Sequence, residues 1–210
     1  MDSTDAADLI AEIHEDRAEN QAAESFRNRA ALMIACLAAV LAVGGLGGGN
    51  ATDDMIENNI KASDTWAFYQ AKNVRQTLYR IEAEKLKTSL EAGLVAAAER
   101  PSAEARLKNY DSTIARYDSE PDPEAPGDLT RGEGKKELSA RAKSYEAAFE
   151  QAAQRDNNFD FAEVLLQLAL VLGSVAILAV NRWILITSAA LGTLGALLTL
   201  NGFTLLVPLP

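Results

Sequence analysis

The C-terminal stretch of this chain, residues 161 to 207, is apolar almost throughout and is interrupted once, by Asn181, Arg182 and Trp183. A bilayer core of about 30 Å is crossed by roughly 20 apolar residues of helix, so the run predicts two spans, 161–180 and 183–207, joined by a tight polar turn. An integral membrane protein is the expectation that follows.

The composition has to be divided before it is informative. Hydrophobic residues make up 48 % of the chain, yet mean hydropathy is only -0.07, because nearly charge-free helix is averaged with highly charged helix. The net charge of -10 divides evenly. Residues 1 to 29 carry eight acids against three bases, and residues 51 to 160 carry twenty-one against sixteen. An acidic surface excludes nucleic acid as an expected partner and disfavours docking on anionic lipid from outside. Cys36 is the only cysteine and His14 the only histidine. Disulfides, cysteine metal clusters and His-based triads therefore lose their usual residues, and no metal, cofactor or catalytic residue is expected.

A first span is predicted over residues 29–48, with Arg27 and Arg29 at its entrance. The acidic segment 1–28 before it is too long for a secretory leader, which makes the span an uncleaved anchor. In that segment Ser3 or Thr4 can cap a short helix carrying Leu9, Ile10 and Ile13, either a docking helix or a solvated lead-in. Ala31, Ala35, Ala38, Ala39 and Ala42 permit close helix contact within a bilayer. The glycines between Gly44 and Gly49 are expected to loosen the backbone at the exit. They lack the Lys-Ser or Lys-Thr of a phosphate cradle. Arg27, Arg29 and Arg182 act as topology determinants. They place the N-terminus and the hairpin turn of the last two spans in the cytoplasm, with residues 51–160 outside it.

Residues 50–160 read as a long extramembrane antiparallel helical hairpin, coiled-coil-like, between the first and second spans. Asn50 or Thr52 is expected to cap the ascending helix, which reaches about 70 Å at 1.5 Å per residue. Its stripe is Ile56, Ile60, Ala67, Ala71, Val74, Leu78 and Ile81, continued after a one-residue slip at Leu86, Leu90 and Leu94. Pro101 marks the tip. A returning helix carries Leu107, Tyr110, Ile114 and Tyr117, and a Pro-rich loop covers 119–130. Thr130 and Glu133 stand at capping-box spacing before a helix with Leu138, Ala142, Tyr145, Phe149 and Ala152 on one face. The fold class is an all-α membrane protein with three transmembrane helices.

Within the ascending helix, Asp64, Trp66, Phe68, Tyr69 and Lys72 form a candidate interaction surface, because the three rings point in different directions and one stripe cannot bury them all. They either fill the base of the hairpin or meet an oligomer partner. The pattern Ser63-Asp64-x-Trp66-Ala67-x-Tyr69-Gln70-Ala71-Lys72, with Phe159-Asp160-Phe161-Ala162-Glu163 and Asn201-Gly202-Phe203, resembles a bacterial family of membrane-anchored helical proteins, domain of unknown function 4337. The resemblance runs from about residue 30 to 203. It implies a bacterial inner-membrane protein and no activity, ligand or catalytic residue. Gly132, Gly134 and the prolines before them look like departures from the family's continuous helix, which leaves the pairing of the hairpin open.

Charge runs on a long helix are solvated faces, and adjacent carboxylates do not converge, so an enzyme is not expected. Glu163 and Gln167 lie one helical turn apart at the start of the second span, where a carboxylate either reaches the headgroups or serves an ion path. Two functions follow. One is a self-associating scaffold or accessory subunit of a membrane complex, as a homo-oligomer or with other subunits in the lipid bilayer. The other is a small oligomeric channel or transport component using Glu163 and Gln167.

Overall fold

A computed structural model describes the backbone of residues 3–207, and the side chains of residues 14, 16, 17 and 19–207. The Ser3 or Thr4 cap and the face of Leu9, Ile10 and Ile13 lie outside the described side chains. The fold is four helices: α1 (Ser3–Glu91), α2 (Arg100–Asp118), α3 (Lys135–Ala179) and α4 (Arg182–Thr204). Three of them carry segments long and apolar enough to cross a membrane.

α1 runs for 89 residues as one helix, which corrects three expectations. The acidic segment is helical from Ser3, the glycines between Gly44 and Gly49 do not loosen the backbone, and neither Asn50 nor Thr52 caps a new helix. Glycine inside a helix costs about 1 kcal/mol relative to alanine. Here the missing side chains allow close packing instead. A Cβ at Gly47 would meet the rings of Phe159 and Phe203, and one at Gly44 would touch Thr199. Thr52 is likewise inside the helix, its hydroxyl donating to Asp156 Oδ1 at 2.9 Å.

Two compact units divide the chain. The first combines Met1–Asp53 with Ala152–Pro210. Its interior is built mainly from small side chains, Ala30, Ala162, Ala169, Ala176, Ser188 and Gly192 among them, with Leu166 and Phe159 as the large buried apolar residues. Large apolar side chains face outward, Leu46 at 73 % and Val171 at 62 % exposure among them. Polar groups inside are matched locally. Ser188 Oγ donates to the Ala169 carbonyl at 2.6 Å, and Asn201 Nδ2 to Asn158 Oδ1 at 2.7 Å. Phe159 and Phe203 stack edge-on at 4.9 Å. The turn after α3 forms as expected around Asn181, whose side chain accepts from the backbone N–H of Trp183 and Ile184, while Val180 takes the left-handed φ of 47° that reverses the chain.

The second unit, Asp54–Gln151, holds the rest of α1, α2 and the start of α3. The chain leaves α1 after Glu91, ten residues before Pro101, and Gly93 adopts φ +68° in the turn that follows. Pro101 sits in the first turn of α2, where its missing N–H has no helical partner to lose. The break between the two helices, expected near Pro101, falls at residues 92–99, just before it. Contacts between the helices are Gln76 Nε2 donating to the Ile114 carbonyl at 2.8 Å, Tyr79 against Tyr110 at 5.7 Å and against Tyr117 at 6.0 Å, and Trp66 Nε1 donating to Glu146 Oε1 at 2.8 Å.

Up to Ile81 the side of α1 that makes these contacts is not the stripe expected from the sequence: Ile56, Ile60, Val74, Leu78 and Ile81 are exposed, and Ala62, Lys72, Gln76 and Ala83 are buried instead, with Thr65, Tyr69 and Tyr79 half-buried beside them. Beyond the one-residue slip the expected stripe is the inward one, with Leu86 half-buried and Leu90 buried, while Leu94 is exposed. The nine inward positions repeat every seven residues in two rows, 62, 69, 76, 83, 90 and 65, 72, 79, 86. On the returning segments the expectation holds: Leu107, Tyr110, Ile114 and Tyr117 are half-buried, and Leu138, Ala142 and Ala152 are buried.

The glycine notches give a direct test. Gly202→Val should destabilise the first unit by about 1–3 kcal/mol, because its Cβ would lie 2.8 Å from the Phe159 ring in an already filled interior. The reading is a lowered thermal midpoint in detergent. A Gly49→Ala control, with open space at its Cβ, should leave the midpoint unchanged or raise it.

Candidate interaction site

The five residues singled out in the ascending helix separate into two sets. Trp66 and Tyr69 are half-buried and stack edge-on at 5.4 Å, with the Trp66 indole N–H held by Glu146. Lys72 is buried. Asp64 and Phe68 face outward, Phe68 at 48 % exposure. Trp66, Tyr69 and Lys72 thus serve the packing of the second unit, and only Asp64 and Phe68 remain as surface.

Lys72 is the centre of a polar knot that the sequence did not announce. Its ammonium donates to the Glu133 carbonyl, lies 3.5 Å from Glu120 Oε2, and sits over the Tyr117 ring at 5.3 Å. A buried ammonium needs this much compensation, since desolvating a lone charge costs several kcal/mol. The loop 119–134 is what supplies it. Glu133 N–H donates to the Glu120 carbonyl at 2.9 Å, and Arg141 donates to the carbonyls of Thr130 and Gly132. The capping box expected from Thr130 and Glu133 does not form. Thr130 Oγ1 instead donates to Asp128 Oδ1 at 2.6 Å, within the loop, and α3 begins at Lys135.

Glu137 closes the knot from the first turn of α3. It is fully buried and accepts from Ser119 Oγ at 2.6 Å and from the Glu120 N–H at 3.1 Å. Burial pushes this carboxyl up, but the hydrogen bonds from Ser119 and Glu120 outweigh it and hold the group below the usual carboxylate range. Asp118 is also held low, by Gln76 first and then by Lys135 and Arg80. Gly134 completes the site, because a Cβ there would collide with the Glu120 backbone N and the Glu137 carboxylate. The tight pairing Gly134-x-x-Glu137 was the sequence signal available. It was masked by the reading of Gly132 and Gly134 as departures from a continuous helix.

The remaining candidates lie apart from the knot. Glu163 Oε1 accepts from Gln167 Nε2 at 2.8 Å, and both side chains are on the outside of the first unit or at its edge. Arg27, Arg29 and Arg182 are exposed. Cys36 is a free thiol on the surface. Among the described residues, no three His, Cys, Asp or Glu side chains converge as metal ligands.

Residues 26–205 match the family model described as Domain of unknown function (DUF4337). The chain belongs to this family. The match takes in all three apolar segments, the polar knot and the loop 119–134, so that loop lies within the family's domain. Neither the curated proteins nor the solved structures contain a match to the chain.

Glu137 makes the knot pH-sensitive in a defined direction. Its folded-state pKa is lowered, so its contribution is present above the ordinary carboxylate value of about 4.3 and is lost as pH falls through the folded value. Glu137→Gln should therefore lower the thermal midpoint of the purified chain at neutral pH, by an amount equivalent to about 1–3 kcal/mol. The gap to wild type should narrow in acid, as the wild-type carboxyl protonates. A gap that is constant with pH would remove the ionised carboxylate from the account.

Proposed function

We propose that this chain is a non-enzymatic, multi-pass membrane protein acting as a self-associating scaffold or accessory subunit of a larger membrane complex. The observation that carries the reading is the distribution of side-chain size in the first unit. Apart from Leu166 and Phe159, the buried apolar residues are small and the large apolar ones lie mostly outside, over three segments each long enough for a bilayer. In water this surface would drive aggregation. In lipid, helices associate through small residues that let backbones approach, and the large side chains meet acyl chains.

The second unit supports a built, rigid extramembrane element. Its contacts, Lys72 with Tyr117, Gln76 with Ile114 and Tyr79 with Tyr110, advance along α1 while receding along α2, which is the order of an antiparallel hairpin. Arg27, Arg29 and Arg182 favour an orientation with the N-terminus and the Asn181 turn in the cytoplasm and residues 51–160 outside it. With the family resemblance, this points to the inner membrane of a bacterium. A channel or transport role for Glu163 and Gln167 is the weaker reading, because the two side chains satisfy each other.

Three measurements test this. The full-length chain should stay with the membrane through an alkaline carbonate wash, and release by that wash would overturn the membrane assignment. In mild detergent it should carry a protein mass above the 22.5 kDa of one chain, and a stable monomer without partners in several detergents and in nanodiscs would overturn the scaffold. Asp122→Cys in a Cys36→Ser background should react with an impermeant thiol reagent in intact cells with permeabilised outer envelopes. Labelling only after lysis would reverse the orientation.

A further inference from the structure

α1 carries a second seam in the unit 54–151, and nothing in that unit covers it. Ile60, Ala67, Val74 and Ile81 recur at strict seven-residue steps. A parallel row, Asp64, Ala71, Leu78 and Lys85, follows four residues behind. Every one of these positions is exposed, Val74 at 60 % and Leu78 at 58 %. They stand two residues from the rows that contact α2 and α3, which is about 200° round the helix, so the two seams occupy opposite sides.

The period is what argues for an occupant. On a straight helix of 3.6 residues per turn, a repeat of seven drifts by about 20° each time, and it stays on one line only where the helix supercoils round a neighbour. The covered seam has this period and has its neighbour. The uncovered one has the same period and more isoleucine, valine and leucine side chains, Ile60, Val74, Leu78 and Ile81 against Leu86 and Leu90. We propose that it pairs with the same seam on a second copy of the chain, the two α1 helices lying parallel and in register.

Self-complementarity selects the second copy. In a parallel pair, a residue of the Asp64–Lys85 row packs against its own counterpart and against the residue just before that counterpart. Lys85 therefore meets its own counterpart and Glu84 of the second copy, whose carboxylate offsets the like charge, twice over by symmetry. Asp64 meets its own counterpart and Ser63 of the second copy, whose hydroxyl can donate to it, so the charged ends of the row are the weak points and the apolar middle carries the pairing. Ala67 and Ala71 let the backbones approach, while Val74, Leu78 and Ile81 fill the seam. This deepens the scaffold reading and rests on it for the direction of pairing, since copies anchored in one bilayer through residues 29–48 of the same α1 helix run the same way.

The test uses the full-length chain in membranes with Cys36→Ser as background. Ala67→Cys and, separately, Leu78→Cys should each oxidise to a covalent dimer, while Asp111→Cys on α2 should not. Val74→Asp combined with Leu78→Asp should lower dimer formation by at least about tenfold with helicity unchanged, since both side chains are on the surface. A mixture of differently tagged Ala67→Cys and Leu78→Cys chains that joins only as the mixed pair would mean antiparallel copies and overturn the proposal. A chain that stays multimeric by mass with no crosslink at either position and no effect of the aspartates would overturn this seam and leave the scaffold reading standing. A monomer would remove both.

Discussion

The constraint on which the molecule depends is the unbroken length of α1. A helix of 89 residues has no second chance to bury itself by turning, so the other segments must find their places along its surface. In the first unit they do so through glycine and alanine, which allow Phe159 and Phe203 to lie against backbone at Gly47. In the second unit they do so through a seam of mixed character, where Ala62, Lys72, Gln76 and Ala83 are all buried. The two solutions differ in what they bury: in the first unit most of the apolar bulk lies outside, over segments long and apolar enough to cross a membrane, whereas in the second the inward seam mixes small apolar residues with polar groups held by hydrogen bonds such as Gln76 Nε2 to the Ile114 carbonyl.

The element order, the three apolar segments, the turn at Asn181 and the faces of α2 and α3 were legible in the sequence, since each rests on local chemistry or on a clear apolar stripe. The seam of α1 was legible only beyond the one-residue slip, at Leu86 and Leu90; before it, the expected stripe faces outward. There the outward stripe is richer in isoleucine, valine and leucine than the inward one, and apolar periodicity alone selects the wrong face. Pro101 located the break to within a few residues: proline is compatible with a first helical turn, so it stands at the start of α2, and the break precedes it. The glycines of α1 were read for flexibility, whereas at Gly44, Gly47 and Gly48 the missing side chain makes room for Thr199 and Phe159. Of the candidate interaction residues, Lys72 is buried because the loop 119–134 folds back to supply it with a carbonyl and a carboxylate, and Trp66 and Tyr69 are half-buried, Trp66 through its bond to Glu146.

That loop illustrates how a few polar residues can specify an arrangement that hydrophobic pattern leaves loose. Ser119, Glu120, Glu133, Gly134 and Glu137 satisfy one another only in a single geometry, with Lys72 as the charge that ties them to α1. None of these residues is unusual in composition. What specifies the arrangement is that the Lys72 ammonium and the Glu137 carboxylate each have their partners within reach, so a shifted pairing would leave several groups unmatched at once.

The seven-residue spacing of both seams on α1 also sets how this chain can change in length. Removing or adding a single residue between Ala62 and Leu90 rotates everything beyond it by about 100° and turns both sides of the helix away from their lines. A change of seven residues rotates it by almost nothing. Over evolutionary time this segment is therefore expected to lengthen or shorten in whole heptads, while the 92–99 turn and the loop 119–134 absorb the odd residues that the helix cannot.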